Sequence, residues 1–184
     1  MTDTATPAPR EAFEMLLAGN DRFAAGTPEH PDQDAARRAE IVVRTAGHVM
    51  GPAVLGSIEY GVSVLGCPLV VFLGHDACDA VAATRAPVDG GTTADGFVRD
   101  VVERVTPSVL AARAAGASTD ADFITEHVRA TDDLLTDRSR VLADRVAAGR
   151  TAVVGLSYRL ADGRAQLVAT RGLDLPTERQ ATIA

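Results

Sequence analysis

The sequence has few cysteines and few aromatic residues. Its 184 residues include two cysteines, four histidines and no tryptophan, and aromatic residues make up 4% of the chain. Two cysteines cannot build the several disulfides that stabilise small secreted domains. No apolar run approaches the ~20 residues that a transmembrane helix needs. These absences exclude a disulfide framework, predict no membrane-spanning helix, and leave two thiols at most for binding a metal.

Positive charge is also scarce. The chain carries 18 Lys and Arg residues against 25 Asp and Glu residues, a formal net charge of −7. Proteins that bind nucleic acid generally present a basic face, which this composition does not favour. The first residues lack the basic segment followed by an apolar stretch that marks a secretory signal. We therefore expect a cytoplasmic protein that binds neither nucleic acid nor a membrane.

The remaining composition is typical of a globular domain. Apolar residues make up 46% of the chain and charged residues 23%, as in folded rather than disordered chains. The Thr-, Ala- and Pro-rich start predicts a flexible tail over residues 1–8. No repeat or linker divides the rest, so we expect a single domain over residues 9–184.

Short apolar segments predict the strands of a small sheet. The β-branched residues 41–43 predict one strand, and the nearly continuous apolar run over residues 68–73 is typical of a strand covered on both faces. Residues 152–160 and 166–170 flank an Asp-Gly pair, which predicts a tight β-hairpin.

Helical periodicity covers most of the remaining sequence. Pro9 and Pro52 suit the first positions of two helices. A helix over residues 97–115 is expected to be kinked or divided by Pro107, and one long helix is expected over residues 121–148. The order of elements favours an α/β class with a three-layer-like arrangement: a small, mainly parallel sheet, an antiparallel C-terminal hairpin at its edge, and flanking helices.

One loop carries the most reactive side chains. Residues 74–79 read G-H-D-A-C-D and follow a predicted strand, and sites in open α/β sheets lie beyond the carboxyl ends of strands. His75 and Cys78 are three residues apart, a spacing that lets imidazole and thiolate bind one metal ion. On spacing alone, a loop histidine beside a small buried cysteine is an equally good explanation.

Several segments around this loop resemble the β-class carbonic anhydrases. In chain order they are residues 17–23 (LAGNDRF), 44–48 (RTAGH), 54–60 (VLGSIEY), 65–78 (ending LGHDAC) and 153–158 (VVGLSY). The resemblance implies the β-carbonic anhydrase fold and a zinc enzyme that hydrates CO₂ to bicarbonate. It also implies that the small-molecule ligand is CO₂, bicarbonate or a related carboxylate. Zinc in that family is held by Cys, His and Cys, with a water or an Asp as the fourth ligand.

One family motif is missing from this sequence. The family's first zinc-binding Cys lies in a C-x-D-S-R motif on the central first strand, together with an Asp–Arg pair that controls the fourth zinc position. Here residues 35–40 run directly into residues 41–44, and no C-x-D-S-R occurs anywhere in the chain. The resemblance therefore implies a divergent member without the central first strand.

The resemblance assigns His75 and Cys78 to the second and third zinc ligands and leaves the first without a counterpart. Cys67 begins the strand whose far end holds His75, up to ~26 Å away at ~3.3 Å per residue, so we expect a core or surface thiol. His48 follows the R-T-A-G segment at the same edge of the sheet and is a candidate metal ligand. The alternative is a hydrogen-bonded loop histidine.

Asp79 and Arg44 are the candidate catalytic residues. Asp79 stands where the family has glycine after its ligand cysteine, so it is a replacement ligand, a base, or a sign of a remodelled pocket. Asp76 is expected either to orient Arg44 or to face solvent.

Other polar side chains are expected to have no part in the site. His127 and the Asp132–Asp133 pair are expected on a solvated helix face. His30 and Gln33 lie in a segment that resembles an H-P-x-Q stretch of some family members, where it approaches a partner subunit.

Two functions are compatible with this sequence. The first is a pseudoenzyme, or a repurposed small-molecule-binding or lyase protein, with an incomplete zinc site and no efficient CO₂ hydration. The second is an active zinc carbonic anhydrase whose ligand set is rebuilt from His75, Cys78 and one of His48, Asp79 or a residue of the partner subunit. A defective copy that keeps only the scaffold is a third possibility. An unpaired apolar sheet edge favours association, and family members pair their subunits, so we expect a homodimer.

Overall fold

Six helices and three strands make up the regular structure of the part of the chain that the computed structural model describes, which is residues 6–27, 42–88, 90–91 and 94–175. Most of the predicted tail, and the segment with His30 and Gln33, lie outside these residues. The helices are α1 (Pro9–Ala24), α2 (Pro52–Ser63), α3 (Asp79–Val88), α4 (Val98–Ala114), α5 (Asp120–Arg138) and α6 (Arg140–Ala147), and the strands are β1 (Leu69–His75), β2 (Ala152–Arg159) and β3 (Arg164–Arg171). A short 3₁₀ turn, Ala46–His48, precedes α2. The α/β class predicted from the sequence is confirmed.

The three described strands form one sheet in the order β1-β2-β3. Strand β1 pairs with β2 in parallel, with Phe72 opposite Gly155. Strands β2 and β3 pair antiparallel, which confirms the predicted hairpin. Residues at the carboxyl end of β1 therefore lie at one edge of the sheet, beside the end of β2.

Helices cover the two faces of the sheet unequally. The larger core cluster joins Phe72 and Val153 to α4 and α5 through residues such as Val105, Phe123 and Val128. On the opposite face, a smaller cluster packs Phe13 of α1 against β2. The sheet thus lies between a helical layer and the single helix α1.

The strand predicted over residues 41–43 is not found in the described residues. Val42 and Val43 have no strand structure and Val42 is 76% exposed, while Ile41 lies outside the described residues. A strand requires a neighbour for its backbone hydrogen bonds, and the described part of the chain provides none for this segment. Within those residues, β1 pairs with β2 alone.

Strand β1 is covered on one face rather than on both. Val71 and Leu73 are 39% and 47% exposed, whereas Phe72 and Gly74, which point the other way, are buried. The cluster beneath α1 reaches Leu69 but not these two side chains. The continuous apolar run therefore reflects an open face as well as a core face.

The structure narrows one helix prediction and corrects another. Pro107 lies inside α4 without dividing it. The long helix predicted over residues 121–148 is two helices, because Ser139 takes an extended conformation (φ −110°, ψ 101°) between them. Its hydroxyl donates to Glu59 Oε1 over 2.7 Å and accepts from the Leu142 backbone N–H over 3.1 Å. A serine that caps a helix in this way competes with helix continuation.

The structure also describes the two cysteines and the apolar character of the helices. Cys67 and Cys78 are not joined by a disulfide. Among the described helices, none is long and apolar enough to cross a membrane.

Candidate metal centre

Three potential metal ligands converge at the carboxyl end of β1. His48 ends the 3₁₀ turn, His75 ends β1, and Cys78 lies in the loop before α3. One donor atom from each lies within 4.8 Å of the other two. Cys78 is buried and the two histidines are partly buried. Among the described residues this is the one group of three such side chains found so close together.

Unusual backbone conformations hold two parts of this group. His48 and Ala77, which immediately precedes Cys78, have φ values of 55° and 52°. Non-glycine residues adopt this left-handed region at a cost of roughly 1–2 kcal/mol. Such residues concentrate at functional sites, where the surrounding structure holds them.

The ring of His75 is oriented by the backbone. Its Nδ1 lies 2.7 Å from the carbonyl oxygen of Asp76. Because a carbonyl only accepts, Nδ1–H is the donor and Nε2 keeps a free lone pair. This arrangement, with one nitrogen bonded to a carbonyl and the other available, is typical of metal-binding histidines.

Asp76 has a structural role that the sequence did not indicate. Its Oδ1 accepts a hydrogen bond from the backbone N–H of Leu160 over 2.9 Å. Its own N–H donates to the Tyr158 carbonyl over 3.0 Å. Asp76 therefore ties the loop after β1 to the end of β2, while Arg44 is exposed on the stretch before the 3₁₀ turn. No contact found among the described residues joins Asp76 to Arg44, and Asp76 is partly buried rather than fully open to solvent.

His48 is held neutral in a partly buried position. Burial, together with the nearby His75 and His127, lowers the pKa of His48 to about 4. Its Nδ1 is buried and has no hydrogen-bond partner among the described residues. The ring packs edge-on to His75, with centroids 5.0 Å apart. A neutral imidazole with an unsatisfied nitrogen suits a metal ligand better than a hydrogen-bonded loop histidine.

The chemistry of the three donors fits zinc. Imidazole nitrogen and cysteine thiolate are its usual protein ligands, at about 2.0–2.1 Å and 2.3 Å. The three donors lie within 4.8 Å of one another, which makes them candidate ligands of a single ion. Three protein ligands leave a fourth position open, as in catalytic zinc sites. Cys67 is outside the group.

Asp79 lies beside the group rather than in it. It begins α3 and is exposed. Together with Cys78, Arg85 and Phe123, it lines a cavity of about 150 Å³. The Arg85 guanidinium lies 4.4 Å from the centre of the Phe123 ring and pairs with the Asp120 carboxylate.

Two polar side chains expected on a solvated face are buried. His127 is 3% exposed and Asp132 is 1% exposed. Both lie three or four residues after buried apolar residues of α5 and therefore on the same face of the helix. These apolar residues are Phe123, Ile124 and Val128. That periodicity was the available signal, and it outweighs the polarity of the two residues.

The chain is similar to known carbonic anhydrases over most of its length. The family profile described as "Carbonic anhydrase" matches residues 37–165. A carbonic anhydrase of Mycolicibacterium smegmatis is 46% identical over 191 residues, an alignment that covers 86% of this chain and 93% of the relative. Carbonic anhydrase 2 of Mycobacterium tuberculosis is 44% identical over 191 residues, covering 86% of this chain and 92% of the relative.

Solved structures share the fold at lower identity. The β-carbonic anhydrase of Coccomyxa in complex with acetazolamide has a TM-score of 0.59 and 17% identity, covering 88% of this chain and 83% of that chain. One of two tetrameric β-carbonic anhydrases of Sordaria macrospora has a TM-score of 0.60 and 16% identity, covering 86% of this chain and 98% of that chain.

The alignment with the M. smegmatis relative leaves part of that relative unmatched. It is 191 residues long, whereas 86% of this 184-residue chain is about 158 residues. About 33 positions of that alignment therefore have no residue from this chain. Taken together, these positions are as many as a strand, a loop and a connection need.

Proposed function

This chain belongs to the β-carbonic anhydrase family, and on that premise we propose that it binds one zinc ion through His48, His75 and Cys78 and lacks efficient CO₂ hydration. The observation that carries the zinc site is the convergence of these three donors within 4.8 Å. The observation that carries the weak hydration is the absence of C-x-D-S-R from the sequence.

Each of the three proposed ligands would bind the metal through a donor atom whose state its surroundings or the pH control. His75 keeps Nε2 available because its Nδ1–H donates to the Asp76 carbonyl. His48 stays neutral at pH 7 because burial lowers its pKa. Cys78 must lose its proton to bind, so the affinity for metal falls as the pH is lowered. Zinc bound here would act as a Lewis acid that makes water more acidic.

The chain's own residues provide little further help to the reaction. The family's Asp–Arg pair has no counterpart in the sequence, and Asp79 is exposed beside the site rather than within the donor group. In the family that pair controls the fourth zinc position, and misplacing a reacting group by about 1 Å costs on the order of 100-fold in rate. We therefore place the activity roughly 100-fold or more below that of a complete family member. The cavity of about 150 Å³ beside Cys78 suits a ligand as small as CO₂, bicarbonate or a related carboxylate.

Two observations favour a second function, that of an active carbonic anhydrase with a rebuilt ligand set. The three donors leave a fourth position open for a reacting water, as catalytic zinc sites do. The relatives at 44–46% identity are named carbonic anhydrases. In this alternative the site works without the family's Asp–Arg pair.

One experiment separates these functions. The protein is purified with zinc supplied, its zinc content is measured by elemental analysis, and CO₂ hydration is followed by stopped flow with a pH indicator. Cys78→Ser removes the thiolate ligand, and Cys67→Ser is the matched control because Cys67 lies outside the donor group. The proposal predicts one zinc per chain in the wild type and in Cys67→Ser, loss of zinc in Cys78→Ser, and slow hydration in all three. Enzyme-like rates abolished by Cys78→Ser would establish the alternative, and a wild type without zinc would refute both.

We also propose that the chain acts as a cytoplasmic homodimer with one domain over residues 9–184. The support for a dimer is the exposure of Val71 and Leu73 on β1. In the described residues, the outer edge of this strand has no neighbour. The Sordaria macrospora proteins that share the fold are described as tetrameric. A reducing cytoplasm agrees with two cysteines that form no disulfide with each other.

A further inference from the structure

We infer that His127 and Ser108 are positioning residues for the metal centre, and that they act by fixing the turn that carries His48. This inference rests on the proposed zinc site and adds two residues from α5 and α4 that bind no metal themselves. His127 is 3% exposed and Ser108 is 5% exposed. Two buried polar side chains meeting beside a candidate ligand require an explanation.

Hydrogen bonding fixes the orientation of the His127 ring. Its Nε2 lies 2.8 Å from the Gly47 carbonyl oxygen, and its Nδ1 lies 3.0 Å from the Ser108 hydroxyl. Since a carbonyl only accepts, Nε2–H donates to Gly47. The neutral ring then accepts from the Ser108 hydroxyl at Nδ1. The two bonds link α4, through α5, to the peptide group that joins Gly47 to His48.

Close packing and a hydrogen bond also restrain the 3₁₀ turn. Gly47 is buried with φ 62°, and a Cβ there would lie 3.0 Å from Val101 Cγ1 and 3.2 Å from the Ala80 side chain. The Thr45 hydroxyl donates to the Val49 carbonyl over 3.1 Å and closes the ends of the turn. Among the described side chains, His127 is the one found to bond the Gly47 backbone.

His48 depends on this support because its own ring has little else to orient it. Its Nδ1 has no hydrogen-bond partner among the described residues, whereas His75 is oriented directly by the Asp76 carbonyl. The left-handed backbone of His48 (φ 55°) therefore contributes to the direction of its side chain. Without the His127 bond, the Gly47–His48 peptide can rotate and carry the imidazole away from Cys78.

Residues that orient metal ligands typically contribute 10–100-fold to metal affinity. A polar pair that only stabilises the core would instead lower the free energy of unfolding and leave the affinity of the folded protein unchanged. Zinc affinity and the stability of the metal-free protein must therefore be measured separately.

The test compares His127→Leu, His127→Gln and Ser108→Ala with the wild type. Leucine fills the space without a donor, and glutamine places an amide N–H near the position of Nε2. Leu135→Ala is the control, because Leu135 is a buried α5 residue in the core cluster and its truncation destabilises the protein without touching Gly47. Zinc affinity is measured by chelator competition, the coordination of Co²⁺ by its visible spectrum, and the stability of the metal-free protein by urea unfolding.

We expect His127→Leu to weaken zinc binding about tenfold or more and to reduce the Co²⁺ bands. His127→Gln should recover a large part of both, and Ser108→Ala should change both in the same direction as His127→Leu. Leu135→Ala should lower stability with zinc affinity within about twofold of the wild type. If His127→Leu binds zinc as tightly as Leu135→Ala, the inference is overturned while the zinc site stands. Should His127→Leu not fold, the same comparison is made with Ser108→Ala. A wild type that binds no zinc overturns the proposed function and this inference together.

Discussion

At the residue scale, the site depends on which nitrogen of each histidine is available. Backbone carbonyls fix two of the three rings near β1, because the carbonyls of Asp76 and Gly47 accept from His75 and His127. His48 lacks such a bond at Nδ1. It is therefore the ring that a metal ion would satisfy, and its neutral state at pH 7 follows from burial.

Asp132 shows how a buried charge affects stability with pH. Burial raises the pKa of Asp132 from 3.8 to about 6, against the opposing effect of Arg171, whose Nε lies 3.2 Å from Asp132 Oδ2. The folded state therefore binds more protons than the unfolded state between pH 4 and 6. Stability from this group is greatest below pH 4 and falls as the pH rises through 6. At about 1.4 kcal/mol per pKa unit, the loss is at most about 3 kcal/mol.

Urea unfolding of the wild type and of Asp132→Asn, at pH 4.5 and pH 7, measures this effect. Relative to the wild type, the variant should gain stability as the pH rises, because asparagine does not ionise. Asp133→Asn is the matched control, since Asp133 also pairs with Arg171 but is exposed. Identical pH dependence in the wild type and Asp132→Asn would show that the buried carboxylate does not titrate in this range.

The sequence predicted the residues of the candidate metal site better than it predicted the residues that support them. His75 and Cys78 follow from a short motif after an apolar strand, and His48 from its place at the same sheet edge. His127 and Asp132 were misplaced because polarity suggests solvent, while their burial depends on contacts with Gly47 and Arg171 that are distant in sequence. A local sequence pattern does not predict contacts with residues that are distant in sequence.

At the element scale, helix α5 lies unusually close to the sheet. A Cβ on Gly74 or Gly155 would lie 2.5 Å or 2.8 Å from a methyl carbon of Val128. Glycine at these two strand positions thus lets α5 approach, and α5 in turn brings His127 to the 3₁₀ turn. The position of α5 against the sheet therefore determines where His127 lies relative to the candidate metal site.

We predict that Gly155→Ala lowers the free energy of unfolding by about 1–3 kcal/mol, since an added methyl in a packed core forces a shift. Adding Val128→Ala should make room for it. Residues in contact typically couple by about 0.5–3 kcal/mol, so the double variant should lose less stability than the sum of the single variants. Urea unfolding of all four proteins gives the coupling, and strictly additive losses would argue against the close contact.

Element boundaries were predicted where a local signal exists. Pro9 and Pro52 begin α1 and α2, and the Asp-Gly pair lies between β2 and β3. The break between α5 and α6 at Ser139 has no comparable local signal. The Ser139 hydroxyl donates to Glu59, a residue of α2 that is distant in sequence. The strand over residues 41–43 was predicted from β-branched residues, but a strand exists only where a neighbour pairs with it.

At the scale of the whole molecule, an open strand edge and exposed apolar side chains occur together. Val71 and Leu73 extend from the face of β1 that α1 leaves uncovered. Exposed edges of this kind favour pairing with another chain. We predict a mass of about 38 kDa by light scattering, twice the 19.1 kDa of one chain.

Charge on the edge strand tests whether this surface forms the dimer. Val71→Lys should shift the mass toward 19.1 kDa, because lysine on an edge strand opposes pairing. Leu110→Lys is the control, since Leu110 is also exposed but lies on α4. A wild type with the light-scattering mass of a single chain would rule out the dimer, and a Val71→Lys protein that remains dimeric would place the interface elsewhere.

The most direct test of the central claim is zinc K-edge X-ray absorption of the wild-type protein. A site built from His48, His75 and Cys78 predicts one sulfur at about 2.3 Å and nitrogen or oxygen neighbours at about 2.0–2.1 Å. A spectrum with two sulfur ligands would show that another cysteine completes the site, and one with no sulfur would exclude Cys78. Either spectrum would contradict the ligand set proposed here.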